Sequence, residues 1–150
     1  MPSVIDTLVE NRWIVQPNHA NILGTTHGGN VLKWMDEVGA MSAMRFAGES
    51  CVTARMDQVN FKRPIPLGEI ALVEAYVYDA GSTSVKVRLR VARENPRTGE
   101  RESTTESHSV YVAVDDDRNA VSVPELTVES DEGRTLREEA MAKNGSLADG

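Results

Sequence analysis

The chain has 150 residues, of which 40% are hydrophobic, and its formal net charge is −7. This length and composition fit one domain with a single core, and they exclude a disordered chain or a disulfide-stapled miniprotein. The acidic balance argues against a general nucleic-acid binder, which needs a basic surface to displace counterions.

The single cysteine, Cys51, excludes an intramolecular disulfide and a thiolate zinc site, and it fits a reducing, cytoplasmic location. The first residues lack a basic segment followed by an apolar one, and no apolar run is long enough to span a membrane. We therefore expect neither an export signal nor a membrane span.

A long helix is predicted over residues 30–47, because apolar side chains occupy nearly every side of the helical wheel. Two glycines at 28–29 precede this segment and Gly48 follows it, as expected at helix ends. A helix that is apolar all round needs cover on several sides. We expect it to lie at the centre of the domain.

Alternating apolar and polar residues predict a series of long strands after this helix, with a phase slip near Gln58 that indicates a bulge. Prolines in 62–68 indicate a connection, and AGS at 80–82 indicates a hairpin turn. The predicted strands are 51–61, 69–79, 83–91 and 103–114. With one short strand before the helix, the order predicts an α+β fold in which a curved antiparallel sheet wraps a central helix.

Residues 1–125 are predicted to form this domain, whereas 126–150 are acidic and poor in large apolar groups, as in a C-terminal helix or a disordered tail. Positive charge is concentrated mid-chain, since residues 45–101 hold 10 of the 16 Lys and Arg against 7 acids. Two interpretations stay open: a solvated sheet face, or a site for a polyphosphate.

Asp36 lies in the most apolar stretch of the chain, and its neighbours one and two turns later are the small residues Gly39, Ala40 and Ala43. A carboxylate there is costly unless it is paired, hydrogen-bonded or neutral, and these conditions suit a general base or a nucleophile. The alternative is a surface acid that faces solvent or pairs with Lys33.

The segment THGG at 26–29 precedes the helix, where free backbone N–H groups meet the positive end of the helix dipole. Such donors can stabilise an oxyanion, although a glycine-rich loop of no special function has the same composition. His27 is a candidate to orient water or to cap the helix. Asn21 lies in a polar loop, where asparagines commonly stabilise turns.

Sequence motifs for metal binding, serine hydrolysis, dinucleotide binding and nucleotide hydrolysis are absent from the sequence. The three histidines, His19, His27 and His108, do not have metal-ligand spacing, and the sequence contains no serine nucleophile elbow, dinucleotide fingerprint or P-loop. We expect no metal and no cofactor.

Two segments, NILGTTHGGNVLKWMDEVGAMSAMRFAG and VTARMDQVNFKRPIPLGE, combine N-x5-HGG, a helix acid and F-x-x-P-x-x-x-GE. In this combination the chain resembles the acyl-CoA hydrolases of the hotdog superfamily, in particular the brain-type cytosolic acyl-CoA hydrolases. The resemblance extends over about residues 11–125.

The resemblance implies hydrolysis of fatty acyl-CoA to free fatty acid and CoA, without metal or redox cofactor. It implies that Asp36 activates water or attacks the carbonyl, that Asn21 positions water or substrate, and that the N–H of Gly29, with Gly28 beside it, stabilises the oxyanion. In the family the asparagine and the acid of one site come from different subunits. A homodimer with two sites follows, and relatives assemble further as hexameric trimers of dimers.

The resemblance also implies contacts with CoA. Phe61 borders the pantetheine channel, and the Ser82, Thr83 and Ser84 loop lies near CoA in relatives. The candidates for contact with the CoA phosphates are the mid-chain basic residues Lys62, Arg63, Lys86, Arg88 or Arg90, of which Arg63 and Lys86 are selected.

A non-catalytic acyl-CoA sensor or carrier of the same fold is the main alternative, and hydratase or dehydratase chemistry is another. The presence of both Asn21 and Asp36 favours the enzyme, because binding alone does not require a buried acid.

Overall fold

The computed structural model describes the backbone of residues 2–149 and the side chains of residues 2–143. Within these residues the chain forms five strands and two α-helices. They are β1 (Val9–Ile14), α1 (Gly28–Ala47), β2 (Ser50–Phe61), β3 (Ile70–Ala80), β4 (Ser84–Glu94), β5 (Arg101–Val114) and α2 (Asp131–Asp149). No helix among the described residues is long and apolar enough to cross a membrane.

The five strands form one antiparallel sheet in the order β1-β3-β4-β5-β2. Helix α1 connects the two edge strands and contacts all five strands of the sheet. A flat sheet cannot touch a single helix with every strand, so the sheet curves around α1. This arrangement confirms the expected α+β hotdog fold.

Helix α1 begins two residues before the predicted start because His27 caps it, and it ends before Gly48, whose φ of 68° is left-handed. The side chains of α1 that face the sheet are buried, as its apolar composition predicts. They pack against the inward positions of β3 and β4 to make the main core. Its buried members include Val31, Trp34, Met35, Val38, Phe46, Val73, Val77, Val87 and Leu89.

Strand β2 is an edge strand that pairs only with β5 among the described strands. The register slips between Asp57 and Asn60, and Gln58 has a φ of 30°, which confirms the predicted bulge. A second slip, between Thr53 and Arg55, was not predicted. The two irregularities change which side chains of β2 face α1.

Helix α2 lies on the face of the sheet opposite α1. The Tyr76 hydroxyl donates to the carbonyl of Leu136 at 2.6 Å, and His108 Nε2 lies 3.1 Å from the carbonyl of Ala140. Ala140 and Tyr76 are fully buried in a second, smaller core. Tyr76, Arg88 and His108, which alternate away from α1, are therefore covered by α2.

Candidate active site

Asp36 lies on α1 at a half-buried position beside β2 and β5. Its Oδ1 accepts hydrogen bonds from Thr53 Oγ1 at 2.7 Å and from the Tyr111 hydroxyl at 3.1 Å. Among the described residues, Oδ2 has no hydrogen-bond partner, and Asp36 forms no ion pair with Lys33 or any other cation. The carboxylate is thus held through one oxygen and open at the other.

Neither Thr53 nor Tyr111 was identified from the sequence. The two residues lie opposite each other in the pairing of β2 with β5, and this register brings both to the same turn of α1. Tyr111 is fully buried, and burial raises the pKa of its phenol far above the ordinary value, with the charge of Asp36 acting in the same direction. The phenol therefore stays protonated and serves as a hydrogen-bond donor.

The first two backbone N–H groups of α1 differ in whether they have a hydrogen-bond acceptor. The Gly29 N–H donates to His27 Nδ1 at 3.1 Å, so the predicted oxyanion donor is occupied by the neighbouring imidazole. The Gly28 N–H has no acceptor among the described residues. Because His27 accepts through Nδ1, a neutral ring carries its proton on Nε2.

Asn21 stabilises a turn in the loop before α1. Its Oδ1 accepts from the N–H groups of Leu23 at 2.9 Å and Thr25 at 3.3 Å, and its amide donates to Thr25 Oγ1 at 3.1 Å. The next two side chains, Ile22 and Leu23, are 101% and 81% exposed. This loop therefore projects two apolar groups beside the asparagine.

Within one chain, Asp36 lies far from the N-terminus of α1 and makes no hydrogen bond with Asn21. Asp36 and Gly28 are separated by eight residues of the same helix, which corresponds to about 12 Å at 1.5 Å per residue. A carbonyl bound at the helix N-terminus is therefore out of reach of the carboxylate in the same chain. No hydrogen bond joins Asn21 to Asp36 either, since all those of the Asn21 side chain stay within its loop.

A cavity of about 340 Å³ opens beside the N-terminus of α1. Gly28 lies at its edge, and the Phe61 ring approaches to 3.7 Å of the point where a β-carbon on Gly28 would stand. The lining residues are Thr26, Gly28, Val31, Phe61, Lys62, Arg63, Pro64, Ile65 and Thr105. Three predicted CoA contacts, Phe61, Lys62 and Arg63, thus border the predicted oxyanion donors.

The predicted contacts Ser82, Thr83, Ser84 and Lys86 lie toward the opposite end of the sheet. Ser84 faces Val112 and Phe61 faces Thr105 on β5, seven residues away, or about 23 Å at 3.3 Å per residue. A second cavity of about 570 Å³, lined in part by Gly81 and Arg137, adjoins this end. Ser82, Thr83, Ser84 and Lys86 therefore belong to a different surface of the chain from Phe61.

Most of the mid-chain basic residues pair with acids. Lys62 lies 3.1 Å from Glu106, Arg63 lies 3.7 Å from Glu102, and Lys86 lies 3.9 Å from Asp79. Exposed ion pairs of this kind are weak, so a phosphate group can replace the carboxylate as the partner of the basic residue.

Arg88 and Arg90 differ from the other basic residues. Arg88 is 6% exposed and lies between Glu106 and Glu139 under α2, and Arg90 pairs with Glu74 at 3.0 Å. The expectation that Arg88 meets a CoA phosphate does not fit this buried position.

Comparison with known proteins places these features in a family context. The thioesterase superfamily matches residues 23–100. An uncharacterized acyl-CoA thioester hydrolase of Bacillus subtilis is 33% identical over 129 residues, which make up 86% of this chain and 75% of that protein. Mammalian relatives, named acetyl-coenzyme A thioesterase and cytosolic acyl coenzyme A thioester hydrolase, are much longer, and the matches span 18 to 28% of their length.

Solved structures agree over nearly the whole chain. An apo-hexameric acyl-CoA thioesterase is 36% identical with a TM-score of 0.87, covering 99% of this chain and 97% of its own. An acyl-CoA hydrolase of Staphylococcus aureus, in complex with butyryl coenzyme A and coenzyme A, is 28% identical with a TM-score of 0.86, covering 96% and 88%. That hydrolase has also been crystallised with alanine replacing an asparagine, an aspartate or a threonine.

Proposed function

The chain belongs to the thioesterase superfamily, and we propose that it hydrolyses fatty acyl-CoA thioesters to free fatty acid and CoA. The observation that carries this proposal is the state of Asp36: one carboxylate oxygen is fixed by two hydroxyl donors and the other is open. A carboxylate so placed can take a proton or attack a carbonyl. The names of the relatives, acyl-CoA thioester hydrolases, support the same activity.

The reaction requires a nucleophile, an oxyanion donor and a protonated leaving group. Asp36 acts through Oδ2, either by removing a proton from water as it attacks the thioester carbon or by attacking that carbon itself. In both routes the carbon–sulfur bond breaks and the CoA thiolate takes up a proton. In the first route the oxygen of water is then part of the free acid. In the second route Asp36 and the acyl group form a mixed anhydride, which water cleaves to release the acid and restore the carboxylate. No step in this scheme needs a metal or a redox cofactor.

The N-terminus of α1 supplies the oxyanion donors in this proposal. The Gly28 N–H is free to donate, and the Gly29 N–H becomes available when the His27 ring turns away from it. The helix dipole adds positive potential at the same point. A negative oxygen formed from the thioester carbonyl is stabilised there as the tetrahedral intermediate develops.

We propose that each site forms between two subunits, with Asn21 and the helix N-terminus from one and Asp36 from its partner. The distance of about 12 Å along α1 supports this division, because a single chain cannot place both groups on one carbonyl. The hexameric state of a close structural neighbour is consistent with a dimer as the building block and with a trimer of dimers.

The substituted residues of the Staphylococcus aureus hydrolase give further support for the choice of residues. Its asparagine, aspartate and threonine are 15 and 17 positions apart, and the same spacings separate Asn21, Asp36 and Thr53 in this chain. We therefore add Thr53 to the proposed site as the donor that fixes Asp36.

For the CoA moiety we propose that Phe61 and Arg63 line the pantetheine channel beside Gly28. The Ser82, Thr83, Ser84 and Lys86 surface is too far away to join them within one chain, so another subunit provides it. We place the reaction in cytosolic fatty acid metabolism, as the name of the human relative suggests.

Release of the CoA thiol from short, medium and long acyl-CoAs tests the proposal. We expect turnover by the wild type and a decrease of about 10²- to 10⁴-fold in Asp36→Ala. Glu37→Ala removes an exposed acid at the next position of α1 and should leave turnover unchanged. Binding of acyl-CoA without thiol release by the wild type would replace the enzyme with a carrier or sensor.

A further inference from the structure

The hydroxyl of Tyr111 is placed to control the orientation of Asp36. It lies 3.1 Å from both the backbone carbonyl and Oδ1 of Asp36. A carbonyl and an ionised carboxylate only accept hydrogen bonds, so the hydroxyl shares its single hydrogen between these two acceptors. The phenol ring is itself fully buried between α1 and the sheet, which fixes the position of this donor.

Gly39 creates the space that this hydroxyl occupies. A β-carbon at residue 39 would overlap the Tyr111 hydroxyl and would lie 3.1 Å from both Tyr111 Cζ and Leu89 Cδ2. Glycine in the middle of a helix costs about 1 kcal/mol relative to alanine. The chain thus has a helix-destabilising residue at the one position of α1 where any side chain would displace the tyrosine hydroxyl.

We propose that Tyr111 is a positioning residue for thioester hydrolysis, which fixes the Asp36 side chain so that Oδ2 points away from β5 and into the site. Thr53 donates to the same oxygen from β2, and Gly39 leaves room for the phenol. The proposal rests on the proposed function of Asp36 and assigns the two residues that hold it in place.

Tyr111→Phe is the first test, because it keeps the ring and removes the donor. We expect kcat for acyl-CoA hydrolysis to decrease about 10- to 100-fold, as for loss of a hydrogen bond to a charged group, with KM unchanged. A change confined to kcat marks an interaction needed for the chemical step. Tyr76→Phe is the matched control, because it removes another buried hydroxyl, on the α2 side of the sheet, and should leave kcat unchanged.

A second test asks whether Tyr111 acts through Asp36. In the Asp36→Asn background, Tyr111→Phe should cause no further decrease of the residual rate. A tyrosine that only supports the core would lower the rate by the same factor in both backgrounds. If Tyr111→Phe lowers the rate by the same factor in the wild-type and Asp36→Asn backgrounds, the positioning role is overturned, even though the single variant has a low kcat.

Gly39→Ala provides an independent variant that leaves Tyr111 unchanged. We expect it to lower kcat and the melting temperature together, since the new methyl group displaces the phenol. In the double variant with Tyr111→Phe, the melting temperature should recover in part, because the overlapping oxygen is gone while the 3.1 Å contacts with Leu89 Cδ2 and the ring remain, whereas kcat should stay low. Recovery of kcat in the double variant would contradict the proposal.

The outcomes separate this inference from the proposed function. If the wild type releases no CoA thiol, the enzymatic function itself fails. If the wild type is active, Asp36→Ala is inactive and Tyr111→Phe matches the wild type in kcat, the function stands and the positioning role is wrong.

Discussion

At the residue scale, the partners of Asp36 are hydroxyl groups rather than cations. An arginine or lysine beside a carboxylate would stabilise its charge strongly and reduce its reactivity as a base or nucleophile. Thr53 and Tyr111 instead orient Oδ1 with neutral donors and leave the negative charge uncompensated. This arrangement suits a group that must react during the chemical step.

Substitution of Thr53 tests the second donor to Oδ1. We expect Thr53→Ala to lower kcat about tenfold, because the donor at 2.7 Å from Oδ1 is lost. Thr53→Ser keeps the hydroxyl and should stay near the wild-type rate in the same CoA-release measurement. Equal losses in the two variants would assign the effect to the methyl group of threonine.

The sequence pattern singled out Asp36 and the glycines before α1 as candidates because they lie in or beside one apolar helix, whereas Asn21 was added by the resemblance to acyl-CoA hydrolases. Thr53 and Tyr111 were missed since their approach to Asp36 depends on the register of β2 with β5, which joins distant segments. Side-chain alternation predicts that a strand exists, but it does not specify which residue of another strand lies opposite. The unpredicted slip between Thr53 and Arg55 adds to this difficulty.

At the element scale, α1 and the four long strands were predicted well because helix and strand periodicities differ clearly. The packing of α2 over the outer face of the sheet was not predicted. Arg88 alternates away from the core and was assigned to phosphate binding, whereas α2 covers it and Glu106 and Glu139 neutralise it. Periodicity shows which residues leave the core, but not which later element packs over them.

The contact between α2 and the sheet should weaken in acid. Burial lowers the pKa of His108 below its ordinary value of 6.5, and nearby Arg88 acts in the same direction. The hydrogen bond to Ala140 and the charges of Glu106 and Asp57 act in the opposite direction, without reversing the shift. The unfolded chain therefore binds a proton more readily than the folded chain does.

We expect His108 to destabilise the folded state as the pH falls below 6.5, with its full contribution present above that value. Urea unfolding of the wild type should show a larger loss of unfolding free energy between about pH 7 and pH 5 than unfolding of His108→Gln. The glutamine keeps an N–H donor but cannot become charged. Parallel pH dependences of the two proteins would rule out His108 as the source.

At the scale of the whole molecule, the single chain leaves apolar surface beside its own site. Met41 and Met44 on α1 and Val52 on β2 are 40%, 39% and 45% exposed. Strand β2 is also an edge of the sheet, with backbone groups open to another strand. Exposed apolar side chains next to an open strand are typical of a subunit interface.

Mixed subunits test whether the site is shared across this interface. Asn21→Ala and Asp36→Ala should each be inactive alone, but a dimer that contains one of each has one site with both native residues and one site with neither. Random exchange of equal amounts makes half of the dimers mixed, so about a quarter of the wild-type activity should return. If both residues of a site came from the same chain, every site in the mixture would lack one of them. An exchanged mixture that stays inactive, with subunit exchange verified by mass spectrometry, would then place Asn21 and Asp36 in the same chain.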